Sequence, residues 1–207
     1  MKTAICIVGL LGAITAVAQE TPRFAFNVGG GYTQPLGSTG AQLDKGWGLT
    51  AGAGVNFNHN IGLIADVGYN NLGVNSNTLN NLGFPGGSVK VFSATLNPII
   101  HLLPKGHVDF YLTGGGGVYH TTQEFTQPGV AGFVGYSPFF GFYRGLAPTT
   151  EVLSSYTMNK PGVDAGIGFS VGTKWRGKIY AEARWNRIFA GNERYIDYIP
   201  VTFGYRF

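Results

Sequence analysis

The sequence is short of charge, of cysteine and of long apolar runs, and each shortage excludes a class of protein. Charged residues make up 12% of the 207, about half of the roughly 25% usual for soluble domains, which is too little to coat a water-facing exterior. No apolar run reaches the ~20 residues of a membrane-spanning helix. The single cysteine, Cys6, lies near the beginning of the longest such run, not at its end, so it does not read as a lipoprotein attachment site. The four histidines are dispersed, a poor start for a metal centre. No metal, cofactor or catalytic residue is expected.

The run at the start reads as a targeting segment. Lys2 supplies the positive end, Ile5 to Val17 the apolar centre and Ala16-Val17-Ala18 the small-residue cleavage pattern. Residues 1–18 are expected to be a signal peptide and residues 19–207 a single β-barrel domain, beginning at Gln19. Loss of Lys2 takes the formal charge from +4 to +3. The exported chain then has no cysteine for disulfides, and its small positive excess does not point to nucleic acid.

Glycine and aromatic residues are plentiful, with 34 Gly and 14% aromatics, and they alternate. In the last ten residues, Ile199, Val201, Phe203, Tyr205 and Phe207 fall on one side of a strand, and Tyr198, Pro200, Thr202, Gly204 and Arg206 on the other. The same two-residue period runs through 23–33, 46–58, 61–70, 91–100, 108–118, 163–171 and 179–189. Pro98 is the awkward residue in the fourth of these, because it cannot donate to a ladder. Eight strands result. Short connections such as Asn58-His59-Asn60, Pro104-Lys105-Gly106-His107 and Lys174-Trp175-Arg176-Gly177 alternate with long ones such as 71–87 and 120–159.

Volume decides which face points outward. An eight-stranded barrel has an interior just wide enough for side chains to fill, so it cannot hold Phe, Trp and Leu from every strand. The small, polar, Gly-rich face is expected inside and the large apolar face against lipid. The eight outward faces carry only Lys90 and Arg187 as charges, both near the loop ends of their strands. Asp66, Asp109, Asp164, Glu182, Arg184 and Arg206 point inward. Trp47, Tyr69, Trp185, Tyr32 and Phe207 fall near strand ends, as an aromatic girdle requires. The expected fold is all-β, an eight-stranded antiparallel up-and-down transmembrane β-barrel with short periplasmic turns and long extracellular loops. A soluble periplasmic barrel around a lipid-like ligand would invert every face.

With its alternating strands and terminal Gly204-Tyr205-Arg206-Phe207, the chain resembles the small bacterial outer-membrane β-barrel proteins of the OmpA/OmpX-like kind. That resemblance implies residence in the outer membrane, contact with its lipid and lipopolysaccharide, and insertion by the barrel-assembly machinery. Phe203, Tyr205 and Phe207 would form the assembly signal. It implies a monomer that acts as a structural or surface-contact barrel, with a narrow channel for small solutes or ions as the alternative.

Three groups of residues are candidates for function. Asp66 on strand three faces strand seven across the ring, so an ion-pair network with Glu182 and Arg184 is expected, joined by Asp109, Asp164 and Arg206. The aromatic segment 133–144, with Phe133, Tyr136, Phe139, Phe140, Phe142 and Tyr143, reads either as a contact site for a protein, glycan or lipid or as a hairpin continued above the membrane. Lys90 and Arg187, with Arg144 and Arg194, could meet lipopolysaccharide phosphates at the outer rim. His120, Ser154, Ser155 and Glu151 share one connection without the spacing of a triad, and Gly114 to Gly117 lacks the Lys and following helix of a phosphate loop.

Overall fold

The computed structural model describes residues 24–207 except 105, 174–176 and 192–193. The expected signal peptide, Arg23 and most of the turn at 174–177 lie outside the described residues. Eight antiparallel strands form one closed barrel in sequence order: β1 (Phe24–Pro35), β2 (Leu43–Asn56), β3 (Ile61–Val74), β4 (Gly86–His101), β5 (Val108–Ser137), β6 (Gly141–Gly172), β7 (Lys178–Gly191) and β8 (Arg194–Arg206). Two short helices, α1 (Gly37–Gln42) and α2 (Ser76–Leu82), sit in the outer connections.

The seam closes between the first and last strands, from Asn27 opposite Arg206 to Pro35 opposite Tyr198. Phe207 adds a backbone bond, its N–H donating to the Phe26 carbonyl at 2.8 Å. Closure removes the sheet edges that would otherwise expose unpaired backbone groups to lipid. Pro98 stays within β4 opposite Leu63, on the outward face. The short turn after β2 is held by Asn58, whose Oδ1 accepts from the N–H groups of Asn60 and Ile61 at 2.8 and 2.7 Å.

At the other end the strands run further than the sequence suggested. The stretch 120–159, expected as a long loop, continues β5 and β6 in paired register to a turn at Pro138-Phe139-Phe140, with one irregularity near Phe125. The segment 71–87 is likewise shortened, because β3 runs to Val74 and α2 fills what remains. Asn75 caps α2 by accepting from the Asn77 N–H at 2.9 Å, and Gly83 ends it at φ 73°, a left-handed conformation that glycine adopts without a Cβ penalty.

The outward face is apolar and exposed along the barrel, from Phe24, Phe26 and Val28 on β1 to Phe203 on β8. The lumen is filled by pairing large rings with missing side chains. Buried Tyr111 lies over Gly168, Tyr119 over Gly162, and Tyr180 over Gly29 and Gly204. A Cβ at Gly168 would stand 2.4 Å from the Tyr111 ring. Glycine therefore supplies space here, and its neighbour uses that space.

This complementarity predicts opposite outcomes for two substitutions on one strand. Gly168→Leu is expected to destabilise the barrel by about 1–3 kcal/mol or more through overpacking against Tyr111. Gly172→Leu, where a Cβ meets nothing within 4 Å, is expected to change little. Urea midpoints of both variants in phosphatidylcholine vesicles make the comparison.

Candidate functional site

The lumen is organised in layers. At its centre Arg184 on β7 gathers carboxylates from three strands. Its Nη1 lies 3.0 Å from Asp66 Oδ2 on β3, its Nη2 2.6 Å from Glu182 Oε1, and its Nη1 3.7 Å from Asp164 Oδ1 on β6. Neutral donors hold the carboxylates from behind. Asn27 and Asn97 donate to Asp66 at 3.2 and 3.1 Å, and Tyr111 Oη donates to Glu182 at 3.0 Å. Buried charge requires such partners, and the register of β3 opposite β7 across a ring of eight strands supplies them.

Asp109 and Arg206 stand apart from that hub, towards the short-turn end. Asp109 Oδ2 lies 2.5 Å from His101 Nδ1 and 3.6 Å from Lys178 Nζ, and its Oδ1 accepts from the Leu103 N–H at 3.3 Å. The Arg206 guanidinium sits 4.6 Å from the Tyr111 ring centre and 5.2 Å from that of Tyr180, in cation–π geometry. The six charges thus divide into an Arg184 hub and a second group nearer the short turns.

Towards the outer end the lumen turns apolar. Leu72, Val74, Val89, Val91, Tyr119, Ile188 and Tyr198 form one buried cluster. Sequence reasoning missed this layer by ending β3 at Asn70. Carrying the two-residue alternation on from Asn70 puts Leu72 and Val74 on the same inward face. The gap beside Arg184 is about 40 Å³, room for a few waters.

The rim cations have partners within the chain. Lys90 Nζ lies 2.6 Å from Glu124 Oε2. Arg187 forms a two-pronged pair with Asp197, at 2.8 Å for each bond, and stacks 4.9 Å from the rings of both Trp185 and Tyr195. Lys90 and Arg187 are therefore not the only charges on the outward faces. Glu124 and Asp197 share them, on lengths of β5 and β8 beyond the strand ends read from sequence. Arg144 lies on the arm opposite Val134.

The extension of β5 and β6 past the other strands makes a two-stranded arm. From Thr126 to Ser137 it rises roughly 36 Å at ~3.3 Å per residue. Its rings pair across the strands: Phe133 with Tyr143 at 6.1 Å and Tyr136 with Phe142 at 5.1 Å. Tyr143 covers Gly135 and Phe133 covers Gly145. Phe139, Phe140 and Phe142 stay 89%, 87% and 79% exposed. Pro128 and Pro148 interrupt the free edges of the arm, which restrains strand pairing with another chain.

The residues weighed for catalysis do not converge. His120 Nδ1 lies 2.6 Å from Asn159 Oδ1. Glu151 pairs with Gln127, seven residues further along the ladder and roughly 23 Å away. Among the described residues no group of three or more metal-ligating side chains occurs. On β8, Phe203 and Phe207 are exposed and Tyr205 packs edge-on to Phe207 at 4.8 Å.

The model of the outer membrane protein beta-barrel domain family matches residues 4–207. No curated protein matches the chain. Among solved structures, Neisserial surface protein A superposes with a TM-score of 0.60 at 15% identity, over 91% of this chain and 98% of that one. Ail, the attachment invasion locus protein of Yersinia pestis, superposes with a TM-score of 0.49 at 16% identity, over 89% and 97%. The N-terminal beta-barrel domain of Pseudomonas aeruginosa OprF gives 0.44 at 12%, over 91% and 100%. At these identities the likeness is one of fold.

The hub makes unequal demands on its members. Arg184→Met leaves Asp66 and Glu182 buried without their counter-charge and is expected to cost about 3–5 kcal/mol. Asp164→Asn removes the carboxylate held least closely by Arg184, at 3.7 Å, and is expected to cost under about 1 kcal/mol or to stabilise. Urea unfolding in vesicles gives the order, and a reversed order contradicts Arg184 as the hub.

Proposed function

The chain belongs to the outer membrane protein beta-barrel domain family, and on that premise we propose that it is a non-enzymatic surface protein whose β5–β6 arm makes contact outside the cell. The observation that carries this reading is the arm itself, with Phe139, Phe140 and Phe142 exposed at its tip. Burial of one such ring is worth roughly 1.5–3 kcal/mol. A tip with three of them, and Arg144 as the one charge between residues 128 and 150, suits an apolar partner surface such as the interface of an opposing membrane.

The remaining assignments belong to the same proposal. Residues 1–18 act as the export signal, and Phe203, Tyr205 and Phe207 on the closing strand are read by the barrel-assembly machinery. The paired rim charges Lys90–Glu124 and Arg187–Asp197 stand at the level of lipopolysaccharide. Their internal partners lower their availability to phosphate, which favours a role in holding the rim. The lumen supports a structural barrel over a channel, because a charged hub and an apolar layer both cross it.

Replacing Phe139, Phe140 and Phe142 together by Ser tests the proposal. The variant barrel is expected to keep its faster migration on unboiled SDS gels. In nanodiscs it is expected to bind phosphatidylcholine vesicles at least tenfold more weakly than the unaltered protein. Unchanged vesicle flotation sinks the contact role of the tip.

A further inference from the structure

Above the apolar layer the barrel mouth opens into a cavity of about 800 Å³, within the ~300–1,000 Å³ of small-molecule sites. Its lower wall is apolar, with Leu43, Val74, Val89 and Ile196. Its collar is built by the short helices. The Leu36 N–H donates to the Asp197 carbonyl at 2.9 Å and the Asp197 N–H to Thr39 Oγ1 at 3.1 Å, which ties α1 to β8. The Asn75 N–H donates to the Gln42 carbonyl at 2.9 Å, which ties the start of α2 to α1.

Two polar features border this space. Thr121 lines the cavity and is 3% exposed, and its buried Oγ1 has no hydrogen-bond partner. A buried hydroxyl without a partner is costly, and this one lies in the cavity wall, just under its surface. At the rim stand two cations, Arg194 on the lining and Lys160, whose Nζ lies 3.6 Å from the Cβ position of the lining residue Gly191. Neither has an ion pair among the described residues, whereas the Asp197 carboxylate is turned to the outward face and held by Arg187. The mouth therefore combines an apolar base, one unmet hydroxyl in its wall and two rim cations without an ion pair among the described residues.

We propose that the outer mouth is a binding site for a single-chain amphiphile with a carboxylate head, of the fatty-acid type. The chain lies on Val74, Val89 and Ile196, and the head reaches Arg194 and Lys160, where a guanidinium can hold a carboxylate by two hydrogen bonds. Because the hub and the apolar layer lie beneath it, the site is a closed receptacle and not the entrance to a path. The inference is independent of the arm and its partner.

The test uses the full barrel in nanodiscs, with decanoate and decanol as probes and empty nanodiscs as the reference for partition into lipid. Decanoate is expected to bind saturably, one per barrel. Arg194→Ala with Lys160→Ala is expected to weaken decanoate at least tenfold and decanol less than twofold. Val89→Trp fills the base of the cavity and is expected to abolish both. Met158→Trp, on the half-exposed wall, gives the same reading should Val89→Trp fail the gel-shift test of folding. Uptake no greater than in empty nanodiscs, or binding that survives the filled cavity, overturns the site. Binding indifferent to Arg194 and Lys160 overturns the carboxylate assignment.

Discussion

The narrow interior of an eight-stranded ring is the constraint on which this protein depends. Such a lumen holds one layer of side chains and no more. Every residue large enough to matter inside must be matched by a neighbour that gives way. Tyr111, Tyr119 and Tyr180 are matched by Gly168, Gly162, Gly29 and Gly204. The same limit sends Phe, Trp and most Leu of the lipid-spanning lengths outward, where only lipid receives them without cost. Composition, facing and membrane residence follow from one geometric fact.

Electrostatics is arranged within that limit. The lumen admits charge only where the register brings opposite signs together, and β3 facing β7 lets Arg184 serve Asp66, Glu182 and, less closely, Asp164. Arg206, lower in the lumen, is flanked by two tyrosine rings. Above the hub the lining changes to Leu, Val and Ile, so the barrel is closed twice by different chemistry. Beyond these closures lie the two places proposed for contact and binding, the β5–β6 arm and the mouth that α1 and α2 enclose.

The two-residue alternation made the barrel legible in the sequence, because each strand writes lipid and lumen on alternate residues. Strand ends were not legible. Above the membrane, water replaces lipid on the outer face and the apolar signal fades, so the alternation alone does not carry β3 on to Leu72 and Val74 and does not separate loop from hairpin over 120–159. Glu124 and Asp197 fall into those same margins, which is why Lys90 and Arg187 stand as the only outward charges in the sequence reading. The meeting of Asp66 with Arg184 was accessible because it depends only on strand number and depth. The cavity at the mouth was not, since it needs the positions of two short helices that leave no hydrophobic period in the sequence.

The most direct measurement is the facing of two adjacent residues on β4. Thr95 is 8% exposed on the lumen side and Leu96 is 52% exposed on the outer side. With a nitroxide placed at each in turn in lipid vesicles, power-saturation spectroscopy reports collision with oxygen, which concentrates in lipid, and with a water-soluble nickel chelate. The expected result is high oxygen and low nickel accessibility at Leu96 and low accessibility to both at Thr95. Nickel accessibility at Leu96 with oxygen accessibility at Thr95 would mean that the faces are inverted, and the lipid-facing barrel with a packed lumen would be contradicted.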